Sequence, residues 1–304
     1  MLLWLIVVAG LTLGVWYAGH GLHGDRFWDE RYSFLNVAAV LHHGTLRPLS
    51  SYYPSPLFFL PPSALLALSD QIYDWSGNPQ FAVKDDGYFT GTAYLLCRLL
   101  QVTYGAAATV LTFLIGQRMF SRQVGLLGAL AVAFLPWHIR ASAYFKPDAL
   151  LVMTVLLAFL WSLGAIERPT AGRYALAGVG ITLAMSSKLL GAVVAVPLAV
   201  GTLLVGWKER RRIAYLVLAG VTSLATFIVL NPYWRGYGSW LASLQHDYAR
   251  RARWSGMTQA EIPREVFELV TGEGVLGPAL GGLSFVGMIL LTASSLNRRI
   301  SVTD

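Results

Sequence analysis

Eight apolar runs dominate this chain and limit what it can fold into. They are Leu2–Ala18, Ala93–Gly116, Gln123–Trp137, Asp148–Ile166, Tyr174–Ser187, Leu189–Trp207, Ile213–Leu230 and Val275–Leu296. A helix needs about 20 mainly apolar residues to cross a bilayer. Most of these runs reach that length, the third and fifth falling short. Across the 304 residues only 13% are charged and the mean hydropathy is +0.55. A soluble domain carries about 25% charged residues, because its surface must face water. The sequence therefore predicts an all-α, polytopic transmembrane bundle of about eight spans, and excludes a soluble or disordered chain. The net charge of +7 comes with no nucleic-acid-binding signature, so no nucleic-acid partner is expected. Membrane lipids are. One cysteine, Cys97, leaves the redox compartment unread.

Charge placement orients the bundle. The first run has no basic residue before it and no small-residue cleavage site, which predicts a retained anchor rather than a signal peptide. With the N-terminus in the cytoplasm, the inside turns hold Arg118, Arg122, Arg168, Arg173, Lys208, Arg210, Arg211, Arg212, Arg298 and Arg299. The short outside connections hold only Arg140, Lys146 and Lys188. This obeys the positive-inside rule. The segment Pro56–Leu68 is apolar but short and carries Pro61-Pro62, so it is expected to lie in the interface. Treating it as a span would invert every later turn. Two long connections, 19–92 and 231–274, then fall outside, and connections of that length are usually functional. In the second, Trp240, Leu241, Leu244 and Tyr248 recur at helical spacing before Arg250, Arg251 and Arg253, which predicts another interfacial helix.

Ionisable groups at membrane depth are costly and mark function. Asp29 and Glu30 follow the first span, Asp148 opens the fourth, and Lys188 lies between the fifth and sixth. All are predicted on the external rim. A carboxylate there can act as general base toward an acceptor hydroxyl or amine. A lysine can neutralise a phosphate. Together they suit transfer of a group from a lipid-linked phosphate. Each residue has a plainer alternative: Asp29 and Glu30 as solvated loop charges, Asp148 as a helix N-cap, Lys188 as a snorkelling side chain. No His or Cys spacing supports a structural metal site. A loose divalent-cation site from Asp29, Glu30 and His246 is a further option. No G-x-x-x-x-G-K-[ST] or G-x-S-x-G is present, which argues against ATP-driven transport and lipase-type hydrolysis.

Several motifs carry a family resemblance. Trp28-Asp29-Glu30-Arg31-Tyr32, an acidic pair after the first span, resembles the start of the GT-C glycosyltransferases. More specifically it is similar to the bacterial branch of dolichyl-phosphate-mannose–protein mannosyltransferases and lipid A aminoarabinose transferases. Tyr52-Tyr53-Pro54-Ser55-Pro56-Leu57 is similar to that family's Tyr-Pro-Pro-Leu-like stretch. Arg98 falls where members carry an arginine opening the second span. Phe145-Lys146-Pro147-Asp148 resembles the Arg/Lys-Pro-Asp motif, Ser186-Ser187-Lys188 the Thr/Ser-Lys signature, and Asn231-Pro232 the Asn-Pro after the seventh span.

The resemblance implies a single integral-membrane module over 1–304, in the plasma (inner) membrane, with interfacial helices in the first external loop. It implies an inverting transfer of one sugar, a hexose or a pentose, from a polyprenyl-phosphate donor. The acceptor would be a protein, glycolipid or polysaccharide on the extracytoplasmic face. Asp29 would be the general base or acceptor-positioning carboxylate, and Glu30 and Asp148 would shape the acceptor or metal site. Lys188 would face the donor phosphate, with Arg98 a second phosphate partner. Family members are commonly longer and often add a soluble C-terminal domain, which this chain is expected to lack. That shortness keeps a non-catalytic scaffold in view as an alternative. A secondary transporter or flippase is another, though such proteins place ionisable groups in mid-span and show paired repeats.

Overall fold

The computed structural model describes residues 1–20, 22, 28–46, 55–82, 84–85, 88–206 and 209–232. Contacts divide the chain into Met1–Pro232 and Tyr233–Asp304, and the described residues belong to the first unit. The eighth expected span, the second long connection and His246 lie outside the described residues, as does Tyr52-Tyr53-Pro54.

Ten helices account for nearly all of the described structure. They are α1 (Leu2–Ala18), α2 (Trp28–His43), α3 (Pro56–Ser76), α4 (Gly91–Met119), α5 (Arg122–Phe134), α6 (Pro136–Ser142), α7 (Asp148–Glu167), α8 (Ala171–Ser187), α9 (Ala195–Gly206) and α10 (Arg210–Leu230). The 3₁₀ turn Leu189–Val194 leads into α9, and a two-residue antiparallel pairing, Lys84–Asp85 with Tyr88–Phe89, precedes α4. The all-α polytopic bundle is therefore present. Among the described residues, four helices are long and apolar enough to cross a membrane: α4, α7, Leu189–Gly206 and α10. A bent pair makes a fifth. The 17-residue α1 is apolar but shorter, spanning about 26 Å.

That bent pair corrects the third expected span. Gln123–Trp137 does not run as one helix: α5 and α6 meet at 64°. The cause is local. Pro136 lacks an N–H and disfavours the α region for the residue before it. Leu135 accordingly sits extended at φ −68°, ψ 117°. The Leu135-Pro136 pair carried this signal in the sequence.

In the first long connection, α3 starts at a cap that its residues dictate. The Ser55 hydroxyl accepts from Leu57 N at 3.2 Å, and Pro56 takes the first helical position, where no donor is lost. The helix passes through Pro61-Pro62 and stops at Gly77, whose φ of 64° is the left-handed conformation that glycine accepts. It is longer than Pro56–Leu68 and, despite its 21 residues, is not apolar enough to be a candidate span. Both α2 and α3 pack onto the beginnings of α4 and α7 through Phe34, Val37, Phe58, Phe59, Tyr94, Cys97, Phe145 and Leu150. Phe145 joins the two, with Phe34 at 5.0 Å edge-on and Phe58 at 5.1 Å stacked. Aromatic pairs of this kind add about 0.5–1.5 kcal/mol beyond burial.

The two ends of the bundle differ in charge. At one, Arg118 pairs with Glu167 at 2.8 Å, Arg173 donates to Gly164 O, and Arg212 bonds both Glu209 and Ile166 O. Arg98, some 20 residues back along α4 from Arg118, marks the other. A rise of 1.5 Å per residue separates them by about 30 Å.

Candidate active site

Glu30 sits in the first turn of α2 and is fully buried. It is not a solvated loop charge. Arg98 of α4 meets it with two parallel bonds, Nε to Oε1 at 2.9 Å and Nη2 to Oε2 at 2.7 Å. The remaining amino group of Arg98 donates to Ala18 O at 3.0 Å and His20 O at 2.7 Å, where α1 ends. Glu30 Oε1 also accepts from Phe145 N at 2.8 Å. One buried ion pair thus ties together the end of α1, the start of α2, α4 and the segment leading into α7. Fork-to-fork geometry supplies the directionality that a lysine could not. Tyr144 lies under the guanidinium, its ring centre 5.3 Å from Cζ. Partial burial and a hydrogen bond with Tyr17 push the Tyr144 phenol above its usual pKa, against the pull of Arg140 and Arg98.

This arrangement changes what Arg98 can do. At least four of its five N–H donors are committed to Glu30 and two carbonyls, and it is 1% exposed. The expected second phosphate contact is not available to it. The same geometry bears on the weak cation site. Both Glu30 oxygens are taken, so Glu30 does not fit a metal ligand, and His246 lies outside the described residues. No group of three His, Cys, Asp or Glu side chains gathers among the described residues.

Asp148 and Lys188 come together from elements 40 residues apart. Lys188 Nζ donates to Asp148 Oδ1 at 3.1 Å, with both side chains about half exposed. The N-cap reading of Asp148 does not hold. The cap position of α7 is Pro147, with no side-chain cap bond, so Asp148 is the first helical residue and suits the positive end of the helix dipole. Lys188 reaches this carboxylate from the end of α8. Its own backbone is extended and ends α8. Beside the pair, Asn231 Nδ2 donates to Ser186 Oγ at 3.1 Å and Ser187 Oγ meets Thr154 Oγ1 at 3.1 Å. The Lys-Pro-Asp, Ser-Ser-Lys and Asn-Pro motifs therefore converge on one end of the bundle, and Asp148 follows closely on Phe145, which the Glu30 clamp holds. Sequence reasoning did not identify Thr154 or Tyr144 as participants; a lone hydroxyl on or beside an apolar helix carries little signal by itself.

Asp29 lies in the first turn of α2, next to Glu30. Its backbone therefore stands against the clamp, while its carboxylate is not among the described groups.

Chemically, this end offers a half-exposed cation–carboxylate pair held by buried hydroxyl and amide bonds, beside a rigid clamp. Residues 89–234 match the family model described as dolichyl-phosphate-mannose-protein mannosyltransferase. The match supports a GT-C-like mannosyltransferase family for this stretch. It takes in Arg98, Asp148, Ser186–Lys188 and Asn231, and begins after Asp29 and Glu30. No curated protein matches the chain. Together with the apolar helices, the match supports a membrane glycosyltransferase of the GT-C type.

Proposed function

We propose that the chain transfers one sugar from a polyprenyl-phosphate donor to an acceptor outside the cytoplasm, with inversion at the anomeric carbon. The observation that carries this reading is the half-exposed Asp148–Lys188 pair within the matched stretch. Lys188 is the donor-phosphate partner: as the ester bond to the anomeric carbon breaks, negative charge collects on the departing polyprenyl phosphate, and a nearby ammonium stabilises it. Asp29 takes the proton from the acceptor hydroxyl as it attacks the opposite face of the sugar. Asp148 holds Lys188 in place before donor arrives. Glu30 and Arg98 fix α2, and with it Asp29, relative to the segment that ends in Asp148.

The reading places this end of the bundle on the extracytoplasmic side, consistent with arginines gathering at the opposite end. The test is transfer by the full chain in proteoliposomes, from radiolabelled polyprenyl-phosphate mannose to acceptors of a membrane fraction. Asp29→Asn and Lys188→Ala should each lower transfer by about 100-fold. Undiminished transfer by Asp29→Asn would remove it as the base. No consumption of any hexosyl or pentosyl polyprenyl phosphate by the wild type would sink the transferase reading itself.

A further inference from the structure

A second cationic feature lies on α6, a different element from the end of α8 that carries Lys188. Where α5 breaks into α6, Tyr17, Pro136, Trp137 and Arg140 line a concavity of about 470 Å³, its open mouth included. Trp137 is 68% exposed, and the Arg140 guanidinium sits over its ring, 5.6 Å from the centroid. Tyr17, one residue before the end of α1, lines the same hollow. Tryptophan and tyrosine at helix ends are the side chains that sit at headgroup level in a bilayer.

The surface below this concavity is apolar. Gly10 of α1 lets Ala133 of α5 approach closely, a Cβ at Gly10 coming within 3.2 Å of the alanine methyl. Flanking that seam, Val8 and Val15 of α1 and Leu127, Leu130 and Phe134 of α5 are all exposed. A cation at an aromatic-walled hollow, continuous with an apolar seam, has the chemistry of a site for a lipid with an anionic head and fatty chains.

We propose that the Tyr17–Arg140 concavity holds the phosphate headgroup of an anionic phospholipid, with its acyl chains along the α1–α5 seam. Arg140 supplies the charge, and the Trp137 ring lies against its guanidinium. The polyprenyl donor has its own cation, Lys188, at the end of α8. Phospholipid is moreover the solvent that α1 and α5 face, and a basic residue at the bilayer surface draws its anionic fraction. The site rests on the membrane placement of the chain and not on sugar transfer, so the two readings fail separately.

The test is native mass spectrometry of the delipidated full chain in micelles, titrated with phosphatidylglycerol or with phosphatidylcholine of the same acyl chains. Arg140→Gln should weaken phosphatidylglycerol retention about fivefold, from the loss of one surface cation. Arg140→Lys should keep most of it, and phosphatidylcholine retention should be unchanged in both. Trp137→Ala, at an exposed position, provides a second arm and should also weaken phosphatidylglycerol retention. Equal retention by wild type, Arg140→Gln and Trp137→Ala overturns the proposal. So does displacement of bound phosphatidylglycerol by equimolar polyprenyl phosphate, which would make the hollow a second site for that lipid.

Discussion

Arg98 and Glu30, 68 residues apart in sequence, form a two-bond ion pair in which both side chains are essentially inaccessible to water. The pair also fixes two carbonyls at the end of α1 and the backbone N–H of Phe145. Its position explains how α2, which carries Asp, Glu, Arg and Asn among its apolar residues, is held against a membrane bundle.

Removing one partner leaves the other charge buried and alone. Arg98→Leu should therefore cost about 3–5 kcal/mol of stability. Adding Glu30→Leu should restore part of the loss, since two apolar residues no longer conflict. Reversible unfolding in mixed micelles measures both, and a double variant less stable than Arg98→Leu contradicts the pairing.

The Asp148–Lys188 pair makes the opposite prediction. With Lys188 at 48% and Asp148 at 40% exposure, it is worth at most about 1 kcal/mol to folding. Lys188→Ala should then unfold within that margin of the wild type while transfer collapses, and Lys188→Arg should retain part of the activity. A large loss of stability in Lys188→Ala would make the pair structural.

Close packing between α8 and α10 depends on Gly178. A Cβ there would collide with the Ala219 carbonyl and lie 3.2 Å from its Cα. Gly178→Ala should cost about 1–3 kcal/mol through overpacking. At Gly220 an added Cβ would meet nothing within 4 Å, which supplies the control: Gly220→Ala should be neutral or stabilising. Equal effects in the two variants would contradict this helix contact.

Tyr144 predicts a pH dependence. Its pKa lies above the ordinary value of 10.0, so the folded state holds the phenol proton more tightly than the unfolded chain. The resulting stability is complete below the ordinary value and is lost as pH rises through the higher folded one. Between neutral pH and strongly alkaline pH, the melting temperature of the wild type should fall more steeply than that of Tyr144→Phe. Parallel curves would show that the phenol feels no such environment.

The helices were legible because most apolar runs are long and bounded by charge, Gly or Pro. For α4, α7, α9 and α10 the expected runs and the observed helices agree closely, apart from the 3₁₀ turn that opens the α9 run. The first connection was less legible. Its α2 mixes Asp, Glu, Arg and Asn with apolar residues, so no period stands out. It becomes a helix with a buried face only because Phe34 and Val37 join the cluster around Phe145 and Tyr94. The 64° bend was written in Leu135-Pro136 but obscured by the apolar run through it.

Sequence by itself determined that the chain is a helical membrane bundle with its basic turns on one side. Hydropathy and charge act locally, residue by residue, so these properties do not depend on which helix meets which. The tertiary structure alone decided which carboxylate meets which cation. Glu30 was expected at an acceptor or metal site and Arg98 at a phosphate; packing instead paired them with each other. Asp148 and Lys188 were left half exposed. The physical reason is burial: a carboxylate and a guanidinium taken out of water must satisfy one another, whereas a pair at the rim remains open to substrate.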